Sequence, residues 1–249
     1  FIRETMDRRE QILGTAVQCL GAAAEVSQST GAPDVVDLSR RYGVEPEVLT
    51  AWLDYLGLGP AVPFKMDHLG AQLLKVAGHD LVNGWGLSET PSLIANSSDQ
   101  PLNLYGVLKP YGVHVHPSPT LDIAVGWRSP LAGAVRIESR VIDANTGCGN
   151  GVEWFLELRR GDALQSLAQG ATDGGKEVMA GPFDNIKVQP GDVISLRIGP
   201  RDSDHICDST EIELVITSLG EGQREWSLAR DVSPDVLTGN PHADRFGNA

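Results

Sequence analysis

The sequence predicts a mainly β protein: an antiparallel, jelly-roll-like β-sandwich preceded by a small α-helical bundle. Three observations carry this. Apolar residues recur at helical spacing before about residue 80, the period falls to two from about residue 90, and turn signals separate the alternating runs. The 28 Gly and 15 Pro among 249 residues suit a body rich in turns.

Residues 1–80 form the expected helical head. Ile12, Leu13, Val17, Leu20 and Ala24 make an apolar stripe on a first helix, closed by Ser29-Thr30-Gly31-Ala32-Pro33. Asp34 is placed to cap a second helix carrying Val35, Leu38 and Tyr42, stopped by Gly43. Pro46 suits the first position of a third helix, with Val48, Leu49, Trp52, Leu53 and Leu56 on its buried face. Gly57 and Gly59-Pro60 end it. A core of about 60 residues is marginal alone, so the head is expected to dock on the β body.

Residues 81–120 read as a connecting segment with the first strands, 121–220 as the sandwich body, and 221–249 as a C-terminal strand and junction to a following domain. In the body, Leu121, Ile123, Val125 and Trp127 alternate with small or polar residues, as do Val135, Ile137, Ser139 and Val141. Val152, Trp154, Leu156 and Leu158 repeat the pattern, then Ile194, Leu196 and Ile198, then Ile212, Leu214 and Ile216. Such alternation turns one sheet face to a core and the other to water. Asn150-Gly151, Asp173-Gly174-Gly175, Pro190-Gly191-Asp192 and Gly199-Pro200 mark the turns.

The chain carries 33 Asp plus Glu against 20 Lys plus Arg, a formal net charge of −13. That balance argues against a general nucleic-acid binder or a polybasic membrane surface. No run of about 18 apolar residues is present to span a bilayer. The 41% hydrophobic content suffices for a core. The chain opens within a helical pattern without Met and stops at Arg245-Phe246-Gly247-Asn248-Ala249, so it reads as a piece of a longer polypeptide.

Cys19 lies on the first helix and is expected to be buried. Cys148 and Cys207 sit in loops just before strands. If those strands start at the same end of the sandwich, the two form a disulfide that suits an extracytoplasmic (periplasmic or cell-surface) setting; otherwise they are free thiols. No Cys-x-x-Cys-His occurs, so no haem is attached to this segment.

The sharpest local pattern is His114-Val115-His116, whose imidazoles share one strand face. They are either two outer-face histidines or two ligands of a metal-dependent hydrolase, which would need a third from elsewhere, such as His205 or Asp208. Asp143, Asn150 and Asp208 fall in two loops rich in hard oxygen donors and are candidate Ca²⁺ ligands; the alternative is Asx-turn bonding to their own backbone. Trp127 and Trp154 share the inward parity and read as core. Phe155 has outward parity, and Trp85, Tyr105, Tyr111 and Phe183 lie in irregular stretches, which makes them candidate stacking rings. Glu153 and Glu157 alternate outward with Arg136, Arg140 and Arg197, as cross-strand ion pairs do. No Gly-x-Ser-x-Gly, Walker or dinucleotide pattern occurs, and catalysis has little support.

Gly126-Trp127-Arg128-Ser129-Pro130 with Gly133, then Gly149-Asn150-Gly151-Val152-Glu153-Trp154, Val188-Gln189-Pro190-Gly191-Asp192 and Asp208-Ser209-Thr210 carry a family likeness. The chain resembles the carbohydrate-binding-like β-sandwich of large planctomycete multidomain proteins that also carry cytochrome-c-like domains. Leu53-Asp54-Tyr55-Leu56-Gly57 and Asn96-Ser97-Ser98-Asp99-Gln100 resemble the segments preceding that sandwich, and Asp231-Val232-Ser233-Pro234 to Asn248 the junction after it. The resemblance implies an extracytoplasmic setting and polysaccharide capture. It names no ligand, and without the Cys-x-x-Cys-His of those parents electron transfer does not carry over.

The leading expectation is a non-catalytic carbohydrate-binding-like module, with Tyr105, Tyr111, Phe155 or Trp85 stacking and His114, His116, Arg128 or Asp208 hydrogen-bonding. The alternative is a structural or docking module that orders neighbouring domains of the parent chain. A metal-dependent hydrolase stands third.

Overall fold

The structure is a computed structural model that describes residues 2–28, 33–56, 58, 67–87, 90–161, 163–220 and 222–248. The chain divides into two compact units, Phe1–Lys65 with Leu158–Ser166, and Met66–Glu157 with Leu167–Ala249.

The first unit holds α1 (Ile2–Gln28), α2 (Val35–Tyr42) and α3 (Pro46–Tyr55). The Asp34 carboxylate caps α2 by accepting from the Asp37 amide at 3.0 Å, and Gly43 closes that helix. The three helices share a core of Cys19, Ala22, Ala23, Val26, Leu38, Val44, Leu49 and Leu53. One expectation is corrected here. The stripe Ile12, Leu13, Val17 and Leu20 is 50–69% exposed, and Ala24 is exposed too. The buried face of α1 is the one bearing Cys19, Ala22, Ala23 and Val26, whose small side chains admit the neighbouring helices closely. Glu25 accepts from Arg41 at 2.6 Å and from the Tyr42 hydroxyl at 2.9 Å, fixing α2 against that face. On α3, Val48 is exposed. The turn expected at 29–32 and the stops at Gly57 and Gly59-Pro60 lie outside the described residues.

The strands are β1 (Ala71–Leu73), β2 (Val82–Gly86), β3 (Ser92–Asn96), β4 (Leu102–Asn103), β5 (Val107–Leu108), β6 (Val113–His116) and β7 (Ile123–Arg128). They continue with β8 (Gly133–Asp143), β9 (Val152–Arg160), β10 (Ala163–Thr172), β11 (Glu177–Val188), β12 (Val193–Pro200), β13 (Thr210–Leu219) and β14 (Glu225–Ser227). One sheet runs β1-β2-β3-β6-β13-β8-β11, with β14 also on β13; the second runs β10-β9-β12-β7; β4 and β5 pair separately. The arrangement is mainly β, antiparallel and sandwich-like.

Alternation decides which face is buried. Val135, Ile137, Ser139 and Val141 on β8 and Ile212, Leu214 and Ile216 on β13 are all buried. So are Ile194, Leu196 and Ile198 on β12, and Val152, Trp154, Leu156 and Leu158 on β9. Ile137 lies opposite Ile216, which lies opposite Trp226, and the Trp226 ring meets Trp127 of β7 at 5.0 Å. That face of the larger sheet therefore looks toward the smaller one. Leu121 is exposed, because β7 begins only at Ile123. Glu157 is buried and held by Arg197 at 2.9 Å, so its outward parity does not bring it to water.

The larger sheet is also covered in part on its other face. Gly84, Ile94, His114 and Glu211 stand opposite one another across β2, β3, β6 and β13, so all four belong to that outer face. The β4–β5 hairpin lies over it, where Val82, Ile94, Leu104 and Leu108 form a second small core with Leu73, Val76 and Leu102 packed around it. The hairpin turn is tight against the chain after β8: a Cβ on Gly106 would stand 2.1 Å from the Ala144 carbonyl oxygen, and Gly106 has φ +101°. A side chain there would push the hairpin off the sheet.

Candidate functional site: a cavity under the hairpin

Burial of His114 is the first consequence of this roof. In an uncovered sheet its side chain would face water; here it is 1% exposed. Its Nδ1 lies 3.2 Å from the Ser209 hydroxyl, and its Nε2 is buried with no hydrogen-bond partner. Burial pushes the imidazole down to about 4, against Glu211 and the Val107 carbonyl, which favour the charged form, so the ring is neutral at pH 7. His116 is less buried. Its Nδ1 meets the Pro117 carbonyl at 2.8 Å, its ring packs edge-on to His205 at 5.9 Å, and burial again lowers its affinity for a proton.

Beside these histidines lies a cavity of about 660 Å³. The segment 72–77, which includes the start of the 3₁₀ turn Val76–Gly78, forms one side. Gln72, Thr90, Ser92 and Ser209 give it hydroxyl and amide groups, and Tyr105 stands at the hairpin turn, 57% exposed. Lys75 also lines it, with its ammonium on Asp80 at 2.9 Å. Ser209 is held in place by its carbonyl, which accepts from the Ala144 amide at 2.8 Å. The lining is as apolar as it is polar, with Leu73, Leu74, Ile94 and Val115 beside these groups, one charged side chain, and one aromatic ring at its edge. Such a lining suits an uncharged ligand with several hydroxyls better than an anion or a cation.

No family model, curated protein or solved structure matches this chain.

Of the residues that the sequence marks for ligand contact, the fold brings Tyr105, His114 and His116 to this cavity. The others, Asp208 and Phe183 among them, lie outside its lining. The Trp85 indole donates to the Val236 carbonyl at 2.7 Å. Phe155 lies under the Arg197 guanidinium, 3.9 Å from its ring centre, on the smaller sheet. Arg128 is exposed at the end of β7, and Tyr111 is exposed just before β6. Gln72, Thr90, Ser92 and Ser209 escape a reading of the sequence. Only Ser209 carries a signal there, its place beside Asp208 in the loop that enters β13.

The loops expected to hold calcium do converge. Cys148 and Cys207 form a disulfide with Cα atoms 5.7 Å apart, while Cys19 is a buried free thiol. Asp143 accepts from the Asn145 and Gly174 amides at 3.3 and 2.8 Å. Asp208 is 1% exposed and neither of its carboxylate oxygens has a partner. Burial, then the charges of Asp143 and Asp204, raise its carboxyl to about 7. Among the described residues no group of three or more His, Cys, Asp or Glu side chains is placed to hold a metal. Among them, too, no helix is long and apolar enough to cross a membrane.

Proposed function

We propose that this chain is a non-catalytic carbohydrate-binding-like module of a larger extracytoplasmic protein, and that its ligand enters the cavity under the β4–β5 hairpin. The observation that carries the reading is the cavity itself: neutral imidazoles, hydroxyls and an amide below, and the exposed ring of Tyr105 at the edge. A sugar is recognised by that combination of hydrogen bonds to hydroxyls and an apolar ring face. The resemblance to the planctomycete carbohydrate-binding-like sandwich points the same way, and the Cys148–Cys207 bridge suits an oxidising compartment.

The same reading takes the body as a jelly roll. From β6 onward the strands divide into β6-β13-β8-β11 and β7-β12-β9-β10, an order that supports two interleaved Greek keys. The head is read as a small helical bundle, supported by the core that α1, α2 and α3 share.

A glycan-array screen of the chain tests the function. Saturable binding to one glycan class is expected, with at least about a tenfold loss in Tyr105→Ala, in keeping with an aromatic contact. Binding that is unchanged in Tyr105→Ala would remove the cavity from the reading. The second reading, a module that orders neighbouring domains, is favoured by the exposed apolar face of Ile12, Leu13, Val17 and Leu20. Folded protein that binds no glycan would leave that reading in place.

A further inference from the structure

We propose that the disulfide-tied corner between the loop after β8 and the loop before β13 binds a divalent calcium ion through the Asp208 carboxylate, the Asn150 side-chain oxygen and the Ile206 carbonyl. Covalent and hydrogen-bonded geometry brings these groups together. Cys148 and Cys207 are bonded, Asn150 is two residues from the first, and Ile206 and Asp208 flank the second. The Asn150 amide nitrogen donates to the Arg201 carbonyl at 2.9 Å, and the Arg201 guanidinium returns a bond to the Asn150 carbonyl at 3.3 Å. The orientation of Asn150 is thereby set, and its Oδ1 is left buried with no donor.

Asp208 presents the stronger anomaly. Its residue is 1% exposed, and both carboxylate oxygens lie out of water without a hydrogen bond. No lysine or arginine pairs with Asp208, Asp143 or Asp204 among the described residues. A buried carboxylate in that state is costly and calls for a proton or a cation. Gly149 lets the two loops approach closely at the corner. It has φ +86°, and a Cβ on it would stand 2.4 Å from the Ile206 carbonyl oxygen and 3.5 Å from Asp208 Oδ1. Both oxygens therefore lie close to the Gly149 backbone, on the same side of the corner.

The donor set is all oxygen, mixing carboxylate, amide and backbone carbonyl, which is the chemistry of Ca²⁺. Mg²⁺ prefers near-ideal octahedral geometry and holds its water more firmly. Asp143 and Asp204 already accept from backbone amides, Asp204 from Ile206 at 3.0 Å, and contribute charge from behind the donor set.

The test compares thermal unfolding of the chain at pH 7.5 in EGTA, in 10 mM CaCl₂ and in 10 mM MgCl₂, for the wild type and for Asp208→Asn. A sub-millimolar to millimolar site predicts a rise in Tm of about 5 °C with calcium and a smaller one with magnesium. Asp208→Asn keeps the shape, loses the response to calcium and unfolds at a higher temperature than the wild type in EGTA. Calorimetric titration of the wild type with CaCl₂ is expected to give one site per chain, weakened at least about tenfold in Asn150→Ala. An unchanged wild-type Tm, an equal calcium response in Asp208→Asn, or a flat titration would each overturn the site and leave Asp208 as a carboxyl kept neutral by its proton.

Discussion

Two buried side chains with unpartnered atoms stand close together in the chain after β6 folds onto β13, yet burial treats them oppositely. At His114, desolvation removes a positive charge and leaves a neutral ring at pH 7, which costs little to keep dry. At Asp208, desolvation opposes a negative charge, and Asp143 and Asp204 oppose it further, so the carboxyl sits at about 7, near its midpoint at neutral pH. The first site is suited to neutral hydrogen-bonding partners. The second is an electrostatic deficit that a cation or a proton must fill. A strand and a neighbouring loop of one sandwich can thus build sites of unlike chemistry from the same physical cause.

The largest expected effect tests what holds the second site together. Replacing Cys148 and Cys207 together by Ser is expected to cost about 2–5 kcal/mol in urea unfolding, since the bridge closes a 59-residue separation. An unchanged midpoint would mean that the Ala144–Ser209 and Asn150–Arg201 hydrogen bonds fix the corner alone.

Next come the pH dependences, whose signs differ. His114 falls from 6.5 to about 4 on folding, so the unfolded chain binds more protons between those values. Its contribution is present above pH 6.5 and is lost as pH falls through 4, by about 3 kcal/mol. Asp208 rises from 3.8 to about 7, so the folded chain binds more protons in that interval. Its neutral form favours the fold below pH 3.8, and that advantage is lost as pH rises through 7, by about 4 kcal/mol. The two slopes oppose each other in the wild type. In chelator, His114→Gln is expected to unmask the falling slope and Asp208→Asn the rising one, read from urea midpoints between pH 4 and 8. Glu211, Lys109 and Arg140 surround His114 and are common to both variants, so parallel curves would break the contrast.

Gly149→Ala is expected to cost about 2 kcal/mol, because the new Cβ would meet the Ile206 carbonyl at a positive φ. Smallest is Tyr105→Ala: within about 0.5 kcal/mol in stability, because the ring is exposed, while glycan affinity falls.

How much of the fold and site is legible in the chain alone depends on where the information is local. The two-residue period of β8, β9, β12 and β13 is local, and its inward residues are buried as expected. β10 is not legible, because Ala163–Thr172 is mostly exposed and shows no apolar alternation. On α1 two apolar faces compete. Counting large side chains selects Ile12, Leu13, Val17 and Leu20, whereas close approach selects Ala22, Ala23 and Cys19. The cavity is legible only in pieces. His114, His116 and Tyr105 are conspicuous residues, but the hairpin that carries Tyr105 to the cavity is built on β4 and β5, two residues each, too short to have a period. Gln72, Ser92 and Ser209 meet only through sheet order, which alternation does not encode.

The Trp127–Trp226 contact has an optical consequence. Two indoles with centroids 5.0 Å apart and planes inclined by 55° form a coupled pair of chromophores, one on each sheet. Their near-ultraviolet dichroism depends on the spacing and angle between the sheets, so the protein carries a native ruler across its own sandwich, readable without any label.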